Sequence, residues 1–321
     1  MSNLQRVLIG LLVLQLALVA LVFWPRQASS VGSEPLLGTL TADDVTGLRI
    51  TDDQGRTAAL AKQGDAWVAP DAGAYPADAA KITPLLTKLA EITTDRLVTQ
   101  TPASHAQLQV ADGKFARRID LTGADGATQT VYLGTPGGSQ AVHVRRGGAN
   151  EVYLARGLAT WEVGGDLVSW IDPVYLSVAA ADITTFTLTN ANGQLVLTRG
   201  EDGTWQLGGL AADEALDANK VSSLVNAVTS LRMTAPIGKD EDASWGLAQP
   251  TATVAMQVKS GDQMKSITLL IGASDEASSS YVVKSSESEY YARVAEFSVD
   301  ALVSQDRAGL LAAAPTPAAT P

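Results

Sequence analysis

The chain contains 321 residues, 46% of them apolar and 18% charged, and 34 acidic against 23 basic residues give a formal net charge of −11. This length suffices for one large domain or two ordinary ones, and so acidic a chain is a poor candidate for binding nucleic acid. The sequence has no cysteine, which excludes disulfides, thiolate nucleophiles, zinc ribbons and iron–sulfur clusters. Only His105 and His143 remain for imidazole chemistry.

The chain opens with an apolar run. Val7–Trp24 contains one strongly polar residue, Gln15, and its eighteen residues at about 1.5 Å each span roughly 27 Å in a helix. The sequence therefore predicts a single-pass protein of the inner or plasma membrane that has the lipid bilayer as a partner. Residues 1–6 are then cytoplasmic, 25–39 form a linker and the bulk is extracytoplasmic. The alternative is a signal peptide cleaved near 28–30.

An internal duplication follows the linker. Residues 45–67 align without a gap on residues 183–205 at a constant offset of 138, with a tryptophan at the end of both. A shift of one residue then aligns 75–92 with the segment that ends at Leu231. We therefore predict two homologous repeats, followed by a disordered Ala/Pro/Thr tail, 311–321.

Each predicted repeat, 40–178 and 179–310, begins with a β-hairpin and continues into one helix. In the first repeat, apolar and polar residues alternate at period two on both sides of an Asp-Gln-Gly turn at 53–55. Asp78 and Asp217 stand at N-cap positions before apolar residues spaced i, i+3, i+4 and i+7. Short strands separated by Gly and Asp turns follow. This order predicts the α+β class: an N-terminal transmembrane helix, then two modules, each an antiparallel β-sheet packed with one main amphipathic helix.

The motifs of both repeats resemble one bacterial family. The shared pattern is a strand that ends in a single Trp, a helix that begins at Asp, a Gly-Leu element, and a strand with Gly before a Val-Tyr strand. Its elements are Trp67, Ala77–Leu86, Leu133–Gly134 and Val152–Tyr153 in the first repeat, and Trp205, Asp217–Val225, Trp245–Leu247, Ile271–Gly272 and Tyr290–Tyr291 in the second. The pattern resembles the family known as domain of unknown function 4340, present as two tandem copies. Gln107–Leu108 departs from the Gly-Leu element, and Leu224–Val225 from the expected Leu-Leu.

This resemblance implies a membrane-anchored extracytoplasmic protein associated with ABC-type export systems that resemble those of gliding motility. The implied partner is an ABC transporter permease or a related extracytoplasmic subunit. The resemblance implies no catalytic residues.

No residue pattern in the sequence indicates catalysis, a cofactor or a metal. Neither His105 nor His143 has a nucleophile motif beside it, and the G-x-S-x-G and Walker-type motifs are absent. The acidic clusters at 43–44, 52–53 and 240–242 lack the spacing of a calcium loop, and acids are common in turns. We therefore predict no catalytic, cofactor-binding or metal-binding residues.

The tryptophans have two possible roles, sugar binding and core packing. Trp67, Trp205 and Trp245 could stack on sugars, but a position directly after a hairpin favours core packing for the first two. Trp161 and Trp170 are predicted to pack the two repeats together.

Taken together, these features favour a non-catalytic accessory or scaffold protein of an export complex, which would present an exposed apolar or sheet-edge surface. One alternative is an exported hydrolase of envelope polymer, with a cleft lined by acids or a histidine. The other is a glycan- or solute-binding module, with a row of exposed tryptophans.

Overall fold

The computed structural model describes Gln15 and residues 33–312, and these fold mainly into two antiparallel β-sheets of nine strands each. In spatial order, the first sheet consists of β4 (Tyr75–Pro76), β3 (Ala66–Ala69), β2 (Thr57–Gln63), β1 (Val45–Asp52), β8 (Arg117–Gly123), β9 (Thr128–Gly138), β10 (Ala141–Arg146), β11 (Val152–Arg156) and β5 (Leu97–Thr99). The second consists of β12 (Val174–Ser177), β16 (Ser230–Gly238), β20 (Tyr291–Ala295), β19 (Ser280–Ser285), β18 (Gln263–Asp275), β17 (Ala252–Ser260), β13 (Ile183–Asn190), β14 (Gly193–Arg199) and β15 (Trp205–Leu207). A two-stranded ribbon of β6 (Val110–Ala111) and β7 (Lys114–Phe115) contacts β9.

Eight strands follow the same order in the two sheets, whereas β4 at one end of the first sheet and β12 at the other end of the second have no counterpart among the described strands. The hairpin β1–β2 of the first half corresponds to β13–β14 of the second, the meander β8 to β11 corresponds to β17 to β20, and β5 corresponds to β16. In both halves the first strand of the hairpin pairs with the first strand of the meander. Residues at the same place in the two ladders, such as Gly134 and Gly272, therefore occupy equivalent positions.

Three helices are present in the described part of the chain: the first spans Ala79–Ala90, the second Ala218–Thr229 and the third Glu296–Ser304. Asp78 caps the first helix by accepting a hydrogen bond from a first-turn amide, and Asp217 caps the second in the same way. The predicted apolar stripes of the first two helices are confirmed as buried. They are Ile82, Leu85, Leu86 and Leu89 in the first helix, and Val221, Leu224, Val225 and Val228 in the second.

The predicted α+β class is wrong, because the described chain is mostly β-structure in two large sheets. The error lies in the pairing between distant strands. Ile50 of β1 pairs with Ile119 of β8, and Leu188 of β13 pairs with Val254 of β17, so hairpin and meander join into one continuous sheet. Alternation within a short segment indicates a strand but carries no information about its partner 60 to 70 residues away.

The predicted single-pass architecture and membrane localisation are also corrected. No helix among the described residues is long and apolar enough to cross a membrane. The longest described helices have 12 residues each and carry a polar face, whereas a bilayer requires about 20 apolar residues. The run Val7–Trp24, on which the prediction rests, lies outside the described residues except for Gln15.

The two halves contact each other through the first-half segment 70–75. The rings of Tyr75 and Tyr290 meet edge to face with their centroids 4.7 Å apart, and the Tyr290 hydroxyl donates a hydrogen bond of 3.0 Å to the carbonyl of Ala74. Gly73 has a φ of +68°, and a Cβ there would lie 3.1 Å from the α-carbon of Gly238. Glycine thus allows the segment to lie against the end of β16.

Candidate interaction surface

Each histidine is held by a main-chain carbonyl. The Nε2 atom of His105 lies 2.9 Å from the carbonyl oxygen of Asn150, and the Nδ1 atom of His143 lies 2.9 Å from that of Thr135. Because a carbonyl only accepts, the ring nitrogen that faces it carries the proton. Both side chains therefore fix loops and strands in place.

The hollow beside His105 has a volume of about 350 Å³ and is lined in part by the buried side chain of Arg145. The Arg145 guanidinium donates to the carbonyls of Val110 and Ala149 at 2.6 and 2.9 Å and forms an ion pair with Asp112. It also stacks 4.6 Å from the ring centroid of Tyr132. The hydrogen bond from Arg145 lowers the pKa of Asp112. These contacts tie the loops around the hollow to the sheet.

In each half, a segment that follows the helix crosses the sheet over a glycine. A Cβ on Gly134 would lie 2.0 Å from the carbonyl oxygen of Leu108, and one on Gly272 would lie 2.1 Å from that of Trp245. The amide of Thr135 donates to the Leu108 carbonyl at 2.9 Å. In the Leu-Gly and Ile-Gly strands of the sequence pattern, the glycine therefore allows the backbone of the crossing segment to lie directly on the strand. A glycine inside a strand commonly indicates such an approach.

The acidic clusters serve turns and helix starts. Asp44 accepts hydrogen bonds from the hydroxyl and amide of Thr41, and Asp242 accepts them from the hydroxyl and amide of Ser244. These side-chain hydrogen bonds lower the pKa of both carboxyls. Within the described residues, no group of three or more His, Asp or Glu side chains is arranged to hold a metal ion.

Asp52 is the buried member of these clusters, with 1% of its surface exposed. Its carboxylate accepts 2.9 Å hydrogen bonds from the amides of Gln54 and Arg56 and one of 2.7 Å from the Arg56 guanidinium. Burial is the largest single influence and raises the pKa, but the hydrogen bonds together outweigh it and the pKa of Asp52 is lowered. This carboxylate therefore stabilises the hairpin turn in its ionised form.

Asp52→Asn is expected to lower the free energy of unfolding at pH 7 by about 1–2 kcal/mol. Because the folded-state pKa lies below the unfolded value, the stabilisation is present above the unfolded pKa and is lost as the pH falls through the folded pKa. Denaturation midpoints of the variant should therefore depend less on pH on the acid side. Asp53→Asn, at the exposed neighbouring position, is the control and should keep the acid dependence. An unchanged acid limb in Asp52→Asn would refute this assignment.

The tryptophans divide into core residues and one exposed residue. Trp67 and Trp170 are buried at 5% and 3% exposure, while Trp205 and Trp245 are half-buried against apolar clusters. The prediction that Trp161 packs the two halves together is wrong, because it is 79% exposed. Trp161 belongs to a short 3-10 helix, and the next residue of that helix, Glu162, forms an ion pair with Lys88. The described tryptophans therefore form no exposed row.

One edge of the first sheet is open. Strand β5 pairs with β11 through Val152 with Thr99 and Tyr153 with Leu97, and no strand of the described chain pairs with its other side. Leu97 and Val98 on this strand are 38% and 45% exposed. Unpaired backbone groups beside exposed aliphatic side chains form a surface on which an extended segment of another protein can add a strand.

The equivalent edge in the second half is covered, because β12 pairs with the start of β16 and the segment 70–75 lies against its end. Strand pairing makes Leu97 equivalent to Pro236 and Thr99 equivalent to Gly238, where the segment 70–75 of the first half lies. Strand pairing makes Val152 equivalent to Tyr291, so Glu151 is equivalent to Tyr290, and the sequence alignment of Val152–Tyr153 with Tyr290–Tyr291 is corrected by one residue. Tyr290 is the residue that anchors this contact. A second copy of the chain therefore cannot repeat the same contact at β5, because the aromatic anchor is missing there.

Comparison with known proteins identifies one family. A family model described as a domain of unknown function (DUF4340) matches residues 67–250, which is more than half of the chain. The match is single and includes parts of both sheets. No curated protein and no solved structure is significantly similar to the chain.

Proposed function

Since the chain belongs to the DUF4340 family of domains of unknown function, we propose that it is a non-catalytic accessory protein that acts by binding other proteins. The observation that carries this proposal is the open edge of β5. Leu97 and Val98 are exposed there, while the equivalent edge of the second half makes the contact between the halves. The same edge of the module makes a protein contact in the second half and is open in the first. The open edge at β5 is therefore suited to a contact with a partner.

The partner that we propose is an extracytoplasmic or permease subunit of an ABC-type export system. This choice rests on the family resemblance of the sequence. The contact itself is strand addition, in which main-chain hydrogen bonds supply affinity and the side chains of Leu97 and Val98 supply apolar area.

We also propose that the two halves are tandem copies of one module. The proposal is supported by the common strand order of the two sheets and by the equivalent crossings at Gly134 and Gly272. The family model matches the chain once, from Trp67 to Pro250, and gives no separate match for a second copy. The second copy is therefore part of the proposal.

Val98→Lys tests the proposed edge contact. The substitution keeps β5 paired with β11 but places a charge on the strand that the partner would join, and such charges are a common way to block edge pairing. Proteins that co-purify with the tagged full chain from its native cells should be lost in this variant. Val196→Lys is the matched control, since Val196 is 37% exposed on β14, which has strands on both sides.

Circular dichroism and thermal melting should show that both variants remain folded. Retention of the same proteins by Val98→Lys and by the unchanged chain would contradict a contact at β5.

A further inference from the structure

A groove in the second half lies between the end of the second helix, the start of β16 and the start of the third helix. Its volume is about 440 Å³. The lining is half apolar, from Ala227, Leu231, Met233, Ala295 and Phe297, and half polar, from Asn226, Ser230, Arg232, Thr234 and Ser298. Phe297 stands at its rim in the first turn of the third helix and is 86% exposed. A large aromatic side chain left in water beside a partly apolar hollow is typical of a contact surface.

The equivalent groove of the first half differs in its chemistry. It is smaller, about 260 Å³, and its lining includes Glu91 and Arg156. Strand pairing makes Arg156 equivalent to Ala295. The residue two positions further along is Leu158 in the first half, 1% exposed, and Phe297 in the second. The fold therefore requires a hollow at this place, but it requires neither an apolar lining nor an exposed aromatic residue.

Two opposite charges lie at the groove of the second half: Arg232 lines it, and Glu296 stands between the lining residues Ala295 and Phe297. Arg232 on β16 and Glu296 at the start of the third helix are both exposed. Within residues 33–312, neither side chain forms one of the ion pairs of the protein. A surface that carries a cation and an anion at separate positions becomes complementary to itself after a two-fold rotation.

We propose that this groove binds a second copy of the chain in a two-fold symmetric dimer. Phe297 of each copy enters the groove of the other, and the Arg232 guanidinium of each faces the Glu296 carboxylate of the other. The arrangement is isologous, so both exposed aromatic side chains are buried and both unpaired ions gain a partner at once. It uses a surface on the second half and leaves the β5 edge of the first half free.

The oligomeric state of the full chain, measured by sedimentation velocity over a range of concentrations, tests the proposal. Phe297→Ser is expected to weaken self-association about 30-fold, as expected for the loss of a central aromatic anchor. Trp161→Ser is the matched control, because Trp161 is a comparably exposed aromatic residue, 79% against 86%, and lies in the first half. It should leave the association unchanged.

Charge reversal gives a second and sharper readout. Arg232→Glu and Glu296→Arg should each weaken the dimer, because each places like charges opposite one another. The double variant Arg232→Glu/Glu296→Arg should restore it, since every copy then carries both reversed charges. An equimolar mixture of the two single variants should also associate, and a pair within one copy could not give this result because each copy then carries two like charges.

A chain that remains monomeric at all concentrations would overturn the proposal, as would association that persists unchanged in Phe297→Ser. Failure of the double charge reversal to restore the dimer after both single reversals have weakened it would also overturn it. Val98→Lys should leave the dimer intact, so a failed dimer and a failed partner contact at β5 are distinguishable outcomes.

Discussion

Gly134→Ala is expected to lower the free energy of unfolding by more than about 3 kcal/mol, at or beyond the upper end of overpacking effects. The added Cβ would lie 2.0 Å from the carbonyl oxygen of Leu108 and 2.7 Å from a methyl group of Val110. The first of these is a backbone atom, so no side-chain rotation relieves the clash. The crossing segment would have to lift from the sheet, and the hydrogen bond from the amide of Thr135 to Leu108 would be lost.

Chemical denaturation of the full chain measures this effect. Gly113→Ala is the control, because a Cβ there meets nothing within 4 Å, and it should change the stability by less than about 0.5 kcal/mol. Gly272→Ala should resemble Gly134→Ala, since its Cβ would lie 2.1 Å from the Trp245 carbonyl. A Gly134→Ala protein as stable as the control would show that the segment does not lie on the sheet as described.

Arg145→Met should destabilise the protein by about 2–4 kcal/mol. The substitution keeps most of the apolar stem but removes the donors to the carbonyls of Val110 and Ala149 and the stacking on Tyr132. Val110 is fully buried, so its carbonyl would lose a partner where water cannot easily replace it. The loss should appear as a lower denaturation midpoint.

The neighbouring Arg146 provides the matched control for this substitution. It follows Arg145 on β10, projects to the other side of the strand and is exposed. Arg146→Met should change the stability by less than about 0.5 kcal/mol. Equal effects of the two substitutions would contradict the structural role assigned to Arg145.

Much of the local structure could be predicted from the sequence, because its signals are short-range. The N-caps at Asp78 and Asp217 and the buried stripes behind them depend on residues within two turns of one another. A glycine such as Gly134 inside an apolar strand also indicates close approach of another backbone. The aligned segments ending at Trp67 and Trp205 fall on equivalent strands of the two sheets.

The long-range structure could not be predicted in the same way. Pairing of β1 with β8 and of β13 with β17 turns the expected small sheets into two large ones, and local alternation does not specify such partners. Trp161 is exposed although its neighbour Glu162 pairs with Lys88 of the first helix, and no local pattern distinguishes the two positions. The open edge at Leu97 and Val98 exists only because the described chain supplies no further strand beside β5, which no local pattern encodes.

The central claim, that the protein acts through contact and performs no chemistry, is tested most directly by complementation of cells that lack the chain. The comparison sets Val98→Lys, which alters the proposed contact surface, against His105→Asn/His143→Asn, which removes both imidazoles available for catalysis. We predict that the edge variant fails to complement although it is folded and present at normal levels, whereas the double histidine variant complements. Full complementation by Val98→Lys together with failure of a folded His105→Asn/His143→Asn protein would contradict the claim.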